Sequence, residues 1–390
     1  MNASVILGSY VNASSIASEL HSNGAGKLFV LSEARSILSR SRMIAGFSTF
    51  SGDDSLCKKL DDLAASTERL VVFATSDDHV NSLDRLRGRL AKNIVIPFRE
   101  GTARLQDKVL QYEACERLGV PYPAYKLLSK DTGWEVSRGL RLPVIVKPTE
   151  RMDIGNRDVP RNAIVADWDE MARLWDKLAP ALDAGVAFLA CEIVPGPSTN
   201  IYAYVAHRSA DRGIVNEWCG RKLSQAPDDY GVFSIASNER VAEVLDQGRR
   251  LVDGLDLTGF CQPEFKFDPR DGTYKLMEIN LRSMMWNRVG TLSGVPLHYS
   301  QFLEACGHDV PRYEQATERL YFINLASELV NLFTRRRYFR QYLLPVLRAR
   351  GRKHIACLDW SDPLPFVLLM ARVPRMIAAI WRRKLSRRLS

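Results

Sequence analysis

The chain contains no Cys-x-x-Cys pair, no Gly-x-Gly-x-x-Gly turn, no internal repeat and no low-complexity tract. Each absence removes a class of protein. Its seven cysteines (Cys57, Cys115, Cys191, Cys219, Cys261, Cys306 and Cys357) are scattered and odd in number. That pattern argues against a zinc site or a disulfide framework, and for reduced thiols in a cytosolic compartment. The opening MNASVILGSY lacks a basic region followed by a long apolar stretch, so no signal peptide is expected. No run reaches the ~20 uninterrupted apolar residues that cross a bilayer. The first βα turn offers only Gly8, which does not suit a dinucleotide pyrophosphate.

What is present is an ordinary globular composition, 46% hydrophobic and 25% charged over 390 residues, enough for two or three packed subdomains. The net charge of +9 is unevenly placed. Residues 331–390 hold 15 Lys and Arg against Asp359 and Asp362, so the other 330 residues sum to −4. The chain is therefore not basic as a whole. Its tail is, and the tail carries no recognisable motif for reading nucleic acid.

Residues 1–100 alternate short apolar runs with amphipathic ones: SVILGSY, KLFVLS, RLVVFATSDD and KNIVIPF read as strands, and SSIASELHSNG as a helix stopped by Gly24. This pattern predicts a small parallel α/β sheet. A helix over 104–119 ends at Gly119 before Pro121 and Pro123. A second α/β portion follows, with strands at 142–148, 187–194 and 201–207. Strands at 259–268 and 273–282 flank the turn Pro269-Arg270-Asp271-Gly272 and predict a β-hairpin.

That hairpin carries the strongest chemical signal. Period-two geometry places Glu278, Asn280 and Arg282 on one face of its second strand, and Glu264 shares that face if the strands close in register. Two carboxylates and a carboxamide oxygen form a hard oxygen cluster suited to Mg²⁺ bridging phosphates. Taken alone, Glu264 reads equally as a polar residue on a solvated sheet face. Lys147 ends an apolar strand before Pro148, and Lys108 opens the helix; two lysines from different elements can hold phosphate oxygens.

The segments QDKVLQYEACERLGVPYP, LPVIVKP, LACEIVPGP, QPEFKFD and LMEINLR follow one another in an order and spacing that resemble the ATP-grasp superfamily. The resemblance is to its carboxylate–amine ligase branch, which includes D-aspartate ligase-like proteins; biotin carboxylase and carbamoyl-phosphate synthetase are more distant. It covers roughly residues 1–305, and SRSRMIAGF looks like the end of that branch's pre-ATP-grasp domain. The resemblance implies an α/β (α+β) fold: a pre-ATP-grasp domain at 1–100, an ATP-grasp domain of two α+β subdomains at 101–310, and a basic helical extension at 311–390. By the same resemblance Lys108 and Lys147 contact nucleotide phosphates. Glu192 and Val194 lie along the adenine–ribose pocket, Val194 through its backbone. Glu264, Glu278 and Asn280 hold two Mg²⁺ ions, for which Mn²⁺ could substitute. Arg282 faces the transferred phosphate or substrate carboxylate, and GRKLSQAPDDYG (220–231) brings Arg221 and Lys222 near the reaction centre unless they are a surface basic pair. One departure stands out: the phosphate-covering loop after Lys147 has a single glycine, Gly155, and carries Arg151, Arg157 and Arg161 instead.

The expected activity is an ATP- and Mg²⁺-dependent ligase that joins a small-molecule carboxylate to an amine through an acyl-phosphate. A carboxylase-type enzyme is the alternative within the fold, although no biotin carrier is present. A catalytically idle ATP-binding regulator is the alternative outside enzymology. Trp286, Asn287 and Arg288 follow the hairpin and suit a substrate wall, with core packing an equal account of Trp286. In the tail, LPFVLLMARVPRMIAAIWRRKLSRRLS joins an apolar run, broken by Arg372, Pro374 and Arg375, to a cationic end. It is expected either to touch an anionic membrane surface or to dock on the catalytic body. The expected location is the cytoplasm, with peripheral contact at the inner membrane face; nucleic acid is not an expected partner, and a homo-oligomer is left open.

Overall fold

Three sheets, laid down in chain order, set out the molecule. The computed structural model describes residues 1–149, 162–226 and 231–389. The first sheet contains β1 (Ala3–Leu7), β2 (Lys27–Ser32), β3 (Gly46–Thr49), β4 (Leu70–Phe73) and β5 (Ile94–Val95), all parallel, in the order β3-β2-β1-β4-β5. Every residue of β1 and β4 is buried, as expected where helices cover both faces. Those helices are α1 (Val11–Ser22), α2 (Gly52–Ala64) and α3 (Asp77–Leu86).

The strand order reverses between β1 and β4, and open parallel sheets bind ligands at such a reversal, beyond the carboxyl ends of the strands. Here the ends of β1 and β4 approach closely. Gly8 has φ +143°, and a Cβ on it would lie 2.1 Å from Thr75 Oγ1, so only glycine fits.

Next come α4 (Lys108–Leu118) and an antiparallel sheet of β6 (Tyr125–Leu128), β7 (Val144–Pro148), β8 (Ala163–Val165) and β9 (Phe188–Glu192), ordered β6-β9-β7-β8. Asp107 caps α4 by accepting from the Val109 amide at 2.6 Å, and Gly119 closes it in the left-handed conformation. The amphipathic helix α5 (Trp168–Asp183) covers this sheet through Met171, Leu174 and Leu178.

The third sheet has seven strands: β10 (Ile201–Ser209), β11 (Gly213–Ala226), β12 (Val232–Ser237), β13 (Gly259–Asp268), β14 (Thr273–Asn280), β15 (Leu320–Ile323) and β16 (Arg352–Ile355). Their order is β14-β13-β10-β11-β12-β15-β16. The predicted hairpin is β13–β14, turning at Gly272 with φ +72°. Asp268 braces the turn through Arg270 and Lys275. Packed about this sheet are α6 (Ala242–Gly254), α7 (Arg288–Leu292) and α8 (Leu297–Ala305).

The basic extension carries α9 (Leu325–Thr334), α10 (Leu344–Arg348), α11 (Leu364–Met370) and α12 (Val373–Leu389). It is not purely helical, because β15 and β16 extend the third sheet. By length and composition alone, Leu364–Arg382 could cross a membrane despite Arg372 and Arg375. Its inner face is docked instead: Leu369 and Val373 are buried in the main core, and the Arg372 guanidinium donates to the Arg35 carbonyl at 2.9 Å. Asp362 accepts from Ser41 Oγ and the Arg42 amide, pinning the same segment to the N-terminal domain.

Candidate active site

The register of the hairpin places Glu264 directly opposite Glu278, and Gln262 opposite Asn280. A bulge follows Glu264, and such an insertion re-aims the neighbouring side chains. Asn280 Nδ2 donates to Glu278 Oε1 at 3.3 Å. Across β10, Lys222 of β11 reaches over to donate to Glu264 Oε1 at 3.1 Å, and both side chains are buried. Burial drives the Glu264 carboxyl up; Lys222 opposes that, and Glu278 adds to it. The buried Glu264 with its Lys222 ammonium, the half-buried Glu278 and the Asn280 carboxamide form a group with a remaining appetite for positive charge. Among the described residues no set of three or more His, Cys, Asp or Glu side chains converges, so any cation here would rest on two carboxylates and the Asn280 oxygen.

The second sheet supplies Lys147 and the helix before it Lys108. Lys147, near the end of β7, donates to Tyr112 Oη at 3.4 Å and lies over that ring at 5.7 Å. Burial works against its charge, but Tyr112, the Cys191 thiol and Glu278 outweigh burial and raise its pKa. Lys108 is shifted the other way, by burial first and then by Lys147, against the pull of Glu278 and Asp77. The two ammonium groups therefore sense each other and Glu278 together. The Lys108 amide also bonds to the Thr149 carbonyl at 3.2 Å, tying α4 to the end of the Lys147 strand.

Arg282 follows β14 and is held bidentately by Asp77 at the start of α3: Nε to Oδ1 is 2.6 Å and Nη2 to Oδ2 is 3.1 Å. Further links fix the exit of β14 against the first sheet. The Ser283 amide bonds to the Ala74 carbonyl at 3.3 Å, and Asn12 Nδ2 bridges the Thr75 and Ser283 carbonyls at 2.8 and 3.2 Å. The carboxyl edge of the parallel sheet thus abuts the end of the carboxylate-bearing strand.

Other expected residues have different surroundings. Glu192 accepts from the Arg141 amide at 2.9 Å and lies 3.6 Å from Arg270 of the hairpin turn. The Val194 carbonyl accepts from Lys266 Nζ at 2.7 Å, which steadies the backbone between the second and third sheets. Arg221 and Lys222 are consecutive on a strand and so face opposite ways. Lys222 joins the carboxylates, whereas Arg221 bonds to Thr199 and Glu239 and covers the Tyr202 ring. Trp286 is core, packed edge-on to Trp218 at 5.8 Å. Arg151, Arg157 and Arg161, and residues 227–230 of the 220–231 segment, lie outside the described residues.

Sequence reasoning missed Asp77, Tyr112, Lys266 and His298. Asp77 sits in a TSDD stretch whose Ser76 caps α3, a signal for a helix start and nothing more. Its partner Arg282 is 205 positions away.

A parallel α/β domain, an antiparallel sheet bearing Lys147 and a largely antiparallel sheet bearing the carboxylates follow one another as in the ATP-grasp fold. No family profile matches the chain. The chain is similar to a D-aspartate ligase of Enterococcus faecium (strain Aus0004), with 24% identity over 247 residues. The match covers 59% of this chain and 57% of that enzyme, so it spans little more than half of the relative's length. Among solved structures, N5-carboxyaminoimidazole synthetase from Staphylococcus aureus superposes with a TM-score of 0.64 at 15% identity, over 85% of this chain and 84% of that one. Biotin carboxylase from Campylobacter jejuni gives 0.62 at 13% identity, over 81% and 74%. An L-amino acid ligase from Bacillus licheniformis gives 0.57 at 12%, over 78% and 74%. At these identities the likeness establishes the fold.

Proposed function

We propose that the protein is an ATP-dependent carboxylate–amine ligase: it phosphorylates a carboxylate with ATP and passes the acyl group to an amine, releasing ADP and phosphate. The observation that carries this reading is the convergence of Glu264, Glu278 and Asn280 with Lys222, Lys108 and Lys147 where the second and third sheets meet. Carboxylate and γ-phosphate repel each other, so a site that joins them must supply positive charge at the transferring group. Lys147 and Lys108 are placed to hold phosphate oxygens, and Arg282 to hold the acceptor carboxylate or the acyl-phosphate. Glu264, Glu278 and Asn280 suit Mg²⁺, which when bound supplies Lewis-acid charge at the phosphates. Lys222 neutralises Glu264, keeping the cluster from excess negative charge before nucleotide arrives.

The similarity to a D-aspartate ligase makes acidic amino acids the first acids to test. The extension adds a proposed location. Phe333, Phe339, Trp360, Leu364, Val367 and Trp381 are exposed among its arginines, a composition that suits peripheral contact with an anionic membrane.

The test incubates the protein with ATP, Mg²⁺ and pooled D- and L-amino acids and amino sugars, beside a Glu278→Ala control. Pool-dependent ADP release that the control loses, with a condensation product in the mass spectrum, is the expected result. Nucleotide binding without turnover in any pool would favour the idle regulator. No nucleotide binding would sink the reading.

A further inference from the structure

The basic extension is tied to the strand that carries Lys222 by a buried polar cluster that has no part in holding phosphate or metal. The ladder between β11 and β12 slips twice, between Lys222 and Ser224 and again between Ser224 and Gln225. Leu223 on one strand and Ser234 on the other therefore stand opposite no residue. Lys222, the last paired residue before the first slip, is the group that reaches over β10 to Glu264. A pair of bulges leaves backbone groups without ladder partners and re-aims the side chains beside it. Buried backbone groups of that kind need partners from elsewhere.

The extension supplies them. Asn331 Nδ2 on α9 donates to the Gln225 carbonyl at 3.0 Å and lies 3.4 Å from Ser234 Oγ. Arg335 Nη1 reaches the same carbonyl at 3.4 Å. The amide of Asn324, the N-cap of α9, donates to the Ser234 carbonyl at 2.8 Å. Ser224, between the two slips, meets Tyr338: the hydroxyl oxygens are 2.5 Å apart, and Tyr338 Oη donates onward to Glu328 Oε1 on α9 at 2.6 Å. Ser224, Tyr338 and Glu328 are all buried. Burial pushes the Glu328 carboxyl up, and the Tyr338 hydroxyl opposes that. Tyr338 is also held through its ring, with the Arg335 guanidinium 4.7 Å above it. The turn that brings it in is strained. Arg337 has φ +64°, a left-handed conformation that a non-glycine residue keeps only where its surroundings impose it.

We infer that Tyr338 and Glu328 are positioning residues for Lys222: through Ser224 they hold the doubled bulge that aims the ammonium at Glu264. The inference rests on the ligase reading above, in which Lys222 compensates Glu264 beside the phosphates. A slack bulge would let Lys222 swing away and leave Glu264 buried without its partner, which slows the chemistry. Lys108 and Lys147 lie on other elements, so the hold on nucleotide is spared.

The test is a double-mutant cycle in the full chain: wild type, Tyr338→Phe, Lys222→Met and the two combined, each given ATP, Mg²⁺ and the amino-acid pool. Tyr338→Phe removes only the hydroxyl and keeps a ring beneath Arg335. It is expected to lower kcat about tenfold with KM for ATP within about twofold, and to change kcat by less than about twofold once Lys222 is Met. Glu328→Gln, whose amide oxygen still accepts from Tyr338, is expected to stay within about threefold of wild type. A tenfold loss that persists in the Lys222→Met background, no loss at Tyr338→Phe, or a Glu328→Gln variant as slow as Tyr338→Phe overturns the assignment. If the wild type turns over no pool, the ligase reading fails, and the same cycle is read from unfolding free energies in urea. Sites that share no partner add, so non-additivity between positions 222 and 338 supports the link through the bulge, and additivity overturns it.

Discussion

The two sides of Arg282 are built on different principles. On one side the two carboxylates face each other on paired strands, and Lys222 reaches the buried Glu264 from across β10. On the other side lies a small, water-sized cavity walled by aromatic residues, whose polar groups come from the exit of β14 and from α8 and are left partly unsatisfied. The first arrangement suits a ligand that brings phosphates and a cation. Lesions on the first side should therefore stop ATP chemistry, whereas loss of the Arg282–Asp77 pair should act on the acid alone.

The largest effect is expected from Glu278→Ala, which removes the carboxylate that both lysines sense. Acid-dependent ADP release should fall by about 10³ or more, since a metal-site ligand contributes several kcal/mol of transition-state stabilisation. A variant that retains a tenth of its rate would erase the contrast between the two sides. Next comes Lys222→Met, which leaves Glu264 buried and uncompensated. A stability loss of about 3 kcal/mol in urea titrations and a rate loss of about 10² are expected. Arg221→Gln, one residue away on the opposite strand face, should change the rate by less than about threefold. Equal effects at positions 221 and 222 would mean the strand is not oriented as described.

Asp77→Asn is a smaller and more selective lesion. It keeps the size of the Arg282 partner but removes its charge and one of its two acceptors, so KM for the acid should rise by about tenfold while ATP affinity stays fixed. A matching loss of ATP affinity would put Arg282 on the phosphate side alone. The smallest expected effect concerns the hairpin itself. The Asp268 carboxyl is held well below its ordinary range, by Arg270 first and also by Lys275. A depressed carboxylate stabilises the fold above the unfolded pKa of about 3.9 and loses that contribution as pH falls through the folded value. Asp268→Asn should cost about 1 kcal/mol at neutral pH, allowing for solvent at the turn, and should flatten the acid limb of the Tm profile.

This same contrast explains what the sequence could reveal. The juxtaposition of Glu264, Glu278 and Asn280 was legible because a hairpin is local: strands of ten and eight residues, a glycine turn and period-two alternation bring them together. Lys147 was legible because it ends a continuous apolar strand. The parallel sheet was legible for the same reason, apart from β3, whose GFST carries too little hydrophobicity to register. The strands β15 and β16 were obscured by a basic extension that reads as helical, since four residues such as RKHI show no strand pattern without their partner. Which of the adjacent cations Arg221 and Lys222 faces the carboxylates was not legible, because composition cannot tell which of them points inward. Asp77, Glu19 and His298 leave no local trace. They meet their partners only when α1, α3 and α8 are packed, in contacts that span 205 to 280 positions.

The most direct measurement tracks one oxygen atom. Supplied with ATP, Mg²⁺ and an acid whose carboxylate carries oxygen-18, the protein should release phosphate containing one labelled oxygen, because the carboxylate oxygen that attacks the γ-phosphate leaves with it when the amine displaces it. Unlabelled phosphate accompanying a condensed product would contradict an acyl-phosphate and the account of the site built on it.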